Sequence, residues 1–307
     1  MLSAAMAADI PFNRSAPEAG RLERVAPLVR RLVASNGGPF TFTGTCCYIV
    51  GEGRVAIVDP GPDDPVHRQR ILDAVRGEAV EAIFVTHTHA DHSLGAAKLA
   101  AATGAPTYGA GPHRPSRPYR AGEASILDAA ADRVFDPVHR LADGDKIPVG
   151  GLSLEAVATP GHCANHLAYA LPEDGLLLSG DHVMGWSTSI VAPPDGAMGE
   201  YLASLGKLLQ RGETRYLPGH GGPVEEPRSF VRALLQHRRM REAAILRSIA
   251  DGAASIPAIV ATVYRGLDPA LAPAAALNTL AHLEDLAARG VVACDGEPTI
   301  EASYSLA

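Results

Sequence analysis

The densest chemistry in the chain is the run Thr86-His87-Thr88-His89-Ala90-Asp91-His92, which follows directly on the apolar stretch 80–85. A strand feeding this run leaves His87 and His89 in an extended loop, where both imidazoles can turn toward one metal ion. A helix beginning at Asp91 would aim Asp91 and His92 at a second position nearby. Neutral imidazole and carboxylate are ligands of zinc, and also of iron or manganese. Helix capping accounts for Asp91 and for none of the three histidines.

Three later residues stand in matching contexts. His162 lies in Thr159-Pro160-Gly161-His162, Asp181 in Ser179-Gly180-Asp181-His182, and His220 in Leu217-Pro218-Gly219-His220. Each follows a strand-like segment and sits beside glycine, so all three could converge with the first motif on one sheet edge. His166, four residues after His162, is a candidate for touching substrate or for buttressing a ligand. His182, His67, His113, His139, His237 and His282 are read as packing or surface residues.

The elements that must position these residues alternate along the chain. Strands are expected at 40–43, 46–50, 55–58 and 80–85, and helices at 65–76 and 93–102. A loop rich in Pro and Arg follows, carrying Arg114, Arg117 and Arg120. Further strands are expected at 152–157, 167–171, 176–179 and 215–218, with a helix at 199–210. This order predicts the α/β class, a sheet flanked by helices. From Ser229 the pattern is helical to Arg289, and a short extended tail ends the chain. The expected organisation is therefore a loosely packed segment 1–20, a catalytic domain 21–228 and a small domain 229–307.

Composition narrows the partners. Lys+Arg 27 against Asp+Glu 34 gives a net charge of −7, a field that repels a phosphate backbone unless a local basic patch intervenes. The four cysteines have no metal-finger or disulfide-framework spacing, as in a reducing compartment. No apolar run approaches the roughly 18 residues of a membrane span. The first nine residues lack the basic start of a signal peptide. The expectation is a cytoplasmic protein without a membrane partner.

From about Thr41 to Pro223 the motifs, in order, resemble the metallo-β-lactamase superfamily. The resemblance implies a four-layer αββα sandwich with a two-metal site. His87, His89 and His162 would hold the first ion, and Asp91, His92 and His220 the second, with Asp181 bridging. Asp59, in Val58-Asp59-Pro60-Gly61, matches an early acidic motif that supports the site from behind. Two zinc ions, with iron or manganese as alternatives, would lower the pKa of a bridging water from 15.7 toward about 7. The hydroxide would attack a carbonyl or phosphorus centre. Asp181 and Asp91 are then the catalytic carboxylates, one fixing the metal spacing and the other passing a proton to the leaving group.

An aspartate at position 181, where the commonest lactamase subclass carries cysteine, looks more like the glyoxalase II, lactonase and ribonuclease branches. The C-terminal segment resembles the winged helix of the lactamase-B-like subgroup, some members of which cut single-stranded RNA. The expected activity is hydrolysis of a small-molecule ester, thioester or lactone. A single-strand endoribonuclease is the first alternative and a mononuclear iron dioxygenase the second. Glu284 and Asp285 give the third C-terminal helix the wrong charge for a major groove, so double-stranded DNA is not an expected partner. Five arginines between Arg232 and Arg247 oppose the single Glu242; they could pack on the catalytic domain, form a homodimer interface or guide RNA. Trp186 and Ser187 fall where this superfamily lines its substrate cleft. Arg117, with its neighbours Arg114 and Arg120, could meet a substrate anion or simply be solvated.

Overall fold

A strand buried on both faces reads as an unbroken apolar run, and Cys46-Cys47-Tyr48-Ile49-Val50 is such a run. In the computed structural model, which describes residues 10–120, 123 and 130–307, Cys46, Tyr48 and Val50 face one core and Cys47 and Ile49 another. This strand is β3 (Cys46–Glu52) of a sheet that begins with β1 (Leu22–Ala26) and β2 (Val29–Val33). The sheet continues through β4 (Arg54–Val58), β5 (Ala79–Phe84), β6 (Thr107–Gly109) and β7 (His139–Arg140), in sequence order from edge to edge. A second sheet holds β8 (Lys146–Val149), β9 (Leu152–Ala158), β10 (Leu167–Leu171), β11 (Leu176–Gly180) and β12 (Arg215–Pro218), ordered β12-β11-β10-β9-β8.

The two sheets pack face to face. Tyr48, Val58 and Phe84 from the first meet Leu154, Tyr169 and Leu178 from the second in one buried cluster. Helices α1 (Pro65–Ala74) and α3 (Ala96–Thr103) cover the outer face of the first sheet, where Ile71 and Leu99 pack on Ile57 and Ile83. The short α2 (Ala90–Ser93) precedes α3. Helix α4 (Met198–Leu208) and the first turns of α5 (Pro227–Ala250) cover the second sheet, with Tyr201, Leu205 and Leu234 on Ala168 and Leu177. The architecture is the four-layer αββα sandwich.

Beyond it, α6 (Ile256–Val263), α7 (Ala272–Ala288) and the ribbon of β13 (Val292–Cys294) and β14 (Tyr304–Leu306) close a small separate core. The 24-residue α5 serves both cores: Phe230, Val231 and Leu234 belong to the catalytic one, Ile245 and Ile249 to the winged helix. The expected boundary at residue 229 thus falls inside the first turn of a shared helix. No helix among the described residues is long and apolar enough to cross a membrane.

Two expectations need correction. Residues 40–43 form a turn rather than a strand: Gly38 N–H donates to Phe42 O, Gly44 N–H donates to Thr41 O, and Phe42 adopts φ 55°. The alternating Phe and Thr side chains imitate a strand, but Phe42 stacks on Trp186 with ring centroids 4.9 Å apart, which fixes the tip. Residues 10–20 are docked rather than loose. Ile10 enters the catalytic core, Phe12 meets the Phe230 ring at 6.0 Å, and Asn13 N–H donates to Gly185 O. Residues 1–9 of that expected segment lie outside the described residues.

Parallel pairing makes the sheet edge that carries the motifs level. In β4 and β5, Val58 pairs with Phe84; in β11 and β12, Leu178 pairs with Leu217 and Gly180 with Pro218. Asp59, His87, Asp181 and His220 therefore leave the sheets on the same side. Two backbone bonds tie the sheets at this edge, Leu167 N–H to Thr86 O and Cys46 N–H to Gly219 O, both 2.7 Å. The loop to His162 is equally constrained. Gly161 has φ 134°, and a Cβ there would lie 2.3 Å from Tyr201 Cα. Gly161→Ala should cost about 3 kcal/mol through backbone strain and clash, read as a shift in urea midpoint. A loss below about 1 kcal/mol would show that the loop gives way freely.

Candidate metal centre

The sheet edge brings all seven sequence-nominated ligands together. His87 Nε2, His89 Nδ1 and His162 Nε2 converge, with His89 Nδ1 2.9 Å from His87 and 3.1 Å from His162. Asp91, His92 and His220 form a second trio, in which Asp91 Oδ2, His92 Nε2 and His220 Nε2 are each 3.4 Å from one another. The carboxylate of Asp181 lies between the trios. Its Oδ2 is 3.3 Å from His220 Nε2 and 3.8 Å from His162 Nε2, and its Oδ1 is 3.5 Å from His92 Nε2.

These spacings fit ions. Ligands about 2.0–2.1 Å from a tetrahedral centre lie about 3.3 Å apart, close to the 3.4 Å edges of the second trio. Asp181 Oδ1 is buried and accepts no hydrogen bond among the described residues, an arrangement that a neighbouring cation relieves.

The fit extends to the outward ring nitrogens. His92 Nδ1–H donates to Asp59 Oδ2 at 2.8 Å, and His89 Nε2–H to Asp195 Oδ2 at 2.7 Å. His162 Nδ1–H donates to Ile190 O at 2.6 Å and His220 Nδ1–H to Gly44 O at 3.2 Å. Asp59 also accepts from Thr86 N–H and Thr86 Oγ1–H, so Thr86 Oγ1 is left to accept from His87 Nδ1–H at 3.0 Å. With each outer nitrogen donating, each inner nitrogen is a lone pair. Asp59, which turns at φ 52°, thus orients two imidazoles from behind.

Burial and the carboxylates pull the ring pKa values in opposite directions. Burial holds His87 well below the usual histidine range and lowers His162. Burial also opposes protonation of His92, but Asp91, Asp181 and Asp59 hold it well above that range. At Asp181, burial opposes ionisation, and His220 and His92 overcome it and hold the carboxyl well below its usual value. The pocket collects carboxylate charge among buried groups, which suits divalent cations.

His166 touches the centre through the backbone. Its Nδ1–H donates to Thr159 Oγ1 at 2.8 Å, and its Nε2 accepts Asp181 N–H at 3.2 Å. Burial keeps this ring neutral, its pKa well below the ordinary value, which leaves Nε2 free to accept. Asp195 was not singled out from the sequence, although Pro194-Asp195-Gly196 repeats the acidic-residue-beside-glycine context of the other sites. It also accepts from Cys163 Sγ at 3.2 Å, a thiol that burial and then Asp195 hold well above its usual pKa. Thr45, which donates from Oγ1 to Asp91 Oδ2 at 2.7 Å, was missed for want of any motif.

Arg117 has partners other than a substrate anion. Its Nη2 contacts Glu123 at 2.6 Å and Glu284 of α7 at 2.7 Å. Arg120 pairs with Glu284 and Glu297, and Arg114 donates to Ala164 O. The loop is a clamp to the winged helix instead of an open anion receptor. Trp186 and Ser187 line a cavity between the two domains. Of the five arginines from Arg232 to Arg247, Arg238 is buried and Arg241 lies over the Tyr264 ring, which leaves Arg232, Arg239 and Arg247 exposed.

Asp195→Ala should weaken metal binding about 10–100-fold by freeing the His89 ring, measured by chelator competition. An unchanged chelator midpoint would remove Asp195 from the centre. Gly219→Ala should act on the other trio, since its Cβ would meet Asp181 Oδ1 at 2.4 Å and His92 Cε1 at 2.8 Å. The expected result is at least one metal ion lost per chain, with wild-type stoichiometry as the contrary outcome.

Comparison with known proteins agrees with this geometry. Residues 40–220 match the metallo-β-lactamase superfamily and residues 255–300 the β-lactamase associated winged helix domain. A β-lactamase-like protein 2 homolog of Drosophila melanogaster is 30% identical over 87% of this chain and 90% of its own length. An atrochrysone carboxyl ACP thioesterase of Aspergillus terreus is 29% identical over 76% of this chain and 67% of its own. A β-lactamase domain protein from Burkholderia ambifaria shares the fold, with TM-score 0.75 at 24% identity and 99% of each chain covered. With its metal-fitting edge, its matched sandwich and its matched C-terminal module, the chain belongs to the metallo-β-lactamase superfamily and is a metal-dependent hydrolase.

Proposed function

We propose that the protein is a two-zinc hydrolase of small acyl esters, thioesters or lactones. The observation that carries the reading is the Asp181 carboxylate, within 3.3–3.8 Å of ligand nitrogens from both trios. When bound, the ions supply Lewis acidity toward the acyl carbonyl and lower the pKa of a shared water toward about 7. His166 and Ser189 hold Asp181 from both ends of its peptide: His166 accepts its N–H, and Ser189 Oγ donates to its carbonyl at 2.6 Å. Asp91 is the most accessible of the ligands, its side chain 27% exposed against 9% for Asp181. That places it to pass a proton to the departing alkoxide or thiolate.

An acyl substrate is favoured over RNA by the thioesterase relative, by the net charge of −7 and by the engagement of Arg117 and Arg120 with glutamates. The test is metal analysis and a lactone and thioester panel on one preparation, with labelled single-stranded RNA alongside. About two zinc per chain and acyl turnover are expected. Asp181→Ala should lower kcat/KM at least about 10³-fold while circular dichroism stays near wild type. Full activity in that variant would remove the bridging role. Chelator-sensitive RNA cleavage without acyl turnover would make the protein a nuclease, and one iron with little zinc would favour an oxygenase.

A further inference from the structure

Residues 110–120 form no helix or strand, yet they hold segments that flank the metal centre. Asn165 Nδ2 donates to Gly111 O at 3.3 Å and Pro112 O at 3.2 Å, and Arg114 Nη2 donates to Ala164 O at 2.8 Å. Ser116 donates twice to a neighbouring loop, from its N–H to Pro194 O at 2.7 Å and from Oγ to Asp195 O at 2.8 Å. Ala164 N–H donates to the same Asp195 carbonyl at 3.0 Å. Asp195 is the acceptor that fixes His89, and Ala164 is two residues from His162. The loop therefore braces two of the three ligands of the first trio.

A segment without a hydrogen-bond ladder of its own keeps one geometry only when its ends are anchored. The near end of this loop leaves β6, and the far end is held by charge. Arg117 Nε donates to both Glu284 carboxylate oxygens, at 3.1 and 3.2 Å, and Nη2 donates to Oε1 at 2.7 Å. The other edge of the same guanidinium meets Glu123 at 2.6 and 2.7 Å. Arg120 Nη1 adds a further contact to Glu284. The Glu284 side chain is 16% exposed, so its pairs are screened less than those at the surface. Removing one partner of such a pair leaves the other charge uncompensated.

The second trio stands on other supports. His92 is fixed by Asp59, His220 by Gly44 O, and Asp91 accepts from Thr45. These supports come from the start of β3 and the end of β4. We infer that Glu284 of the winged helix is a positioning residue for the first metal ion alone. It clamps the loop, the loop holds Asp195 and the His162 segment, and these set the His89 and His162 rings. The C-terminal domain thus tunes the affinity of one ion and leaves the other to the catalytic domain. The inference rests on the two-ion reading above, but each site can be followed separately and without turnover.

The probe is Co(II), titrated into the full metal-free chain and followed by proton NMR, because each imidazole N–H of a cobalt ligand gives its own far-shifted resonance. The outer N–H groups are buried and hydrogen-bonded, which slows their exchange with water. His87, His89 and His162 report the first ion, and His92 and His220 the second. The wild type should fill both sets. Glu284→Gln should raise the half-saturation of the first set about tenfold, the lower end for losing a ligand's partner, and move the second by less than about twofold. Ser116→Ala should act alike, and the double variant should go no further than Ser116→Ala, since both work through one chain of contacts. Glu242→Gln, which removes the α5–α7 pair with Arg289, should move neither set. An unshifted first set in Glu284→Gln, both sets shifting together, a multiplied effect in the double variant, or an equal shift from Glu242→Gln overturns the clamp. A wild type showing the first set alone sinks the two-ion reading, and the Glu284→Gln shift of that set still decides the clamp; the second set alone sinks both.

Discussion

Everything at the sheet edge depends on one constraint: an imidazole can ligate a metal only through a nitrogen that carries no proton. In a dry pocket the choice of nitrogen is made by what the other one meets. Here Asp59, Asp195, Thr86, Ile190 O and Gly44 O each accept an outward N–H, and the five inward nitrogens are left as lone pairs. Without those acceptors, nothing would fix the tautomer or the orientation of the five buried rings. The acceptors come from loops that leave both sheets, so the sandwich has to be assembled before the ligand set exists.

This explains what could be read in the sequence and what could not. His87, His89, Asp91 and His92 announce themselves because four ligand-type residues within six positions have no competing structural reason. His162, Asp181 and His220 are legible because each follows a strand and abuts glycine. Gly219 shows why: Asp181 Oδ1 and His92 fill the space that a side chain there would take. Asp195 carries the same kind of context, but it lies 106 residues from its partner His89, a separation that no local spacing rule covers. Thr45 belongs to no motif at all; only the pairing of β2 with β3, and the bridge from Thr45 to His220, bring it to Asp91.

The fold itself was legible in proportion to burial. Strands β3, β4, β5, β10 and β11 are apolar on both faces and read clearly. The short strands β6, β7 and β8, and the hairpin of β1 and β2, alternate polar with apolar residues or run only two to four residues where they are shortest. Their pairing is set by the neighbouring strand rather than by their own pattern. The false strand at 40–43 errs in the other direction, since a Phe-Thr alternation serves a stacked turn tip as well as a pleat.

The position of the winged helix follows from the same economy of buried charge. Arg238 of α5 is 1% exposed, and it contacts neutral groups: the Tyr201 ring at 5.0 Å, Asn278 Oδ1 at 3.3 Å and the Ser189 carbonyl. A buried guanidinium is costly unless its hydrogens are placed, so Ser189 and Asn278 must approach it together. Burial, with His162 and Arg238 adding to it, pushes the neighbouring His182 down to about 3, which keeps a second positive charge away. The Arg117 clamp acts at the opposite side: Glu284 holds Arg117, and the adjacent Ser116 donates from Oγ to Asp195 O. One domain contact therefore ends on the residue that orients His89, and the other on Ser189, which holds the Asp181 backbone. A C-terminal module attached this way is bonded to residues at both ends of the metal centre.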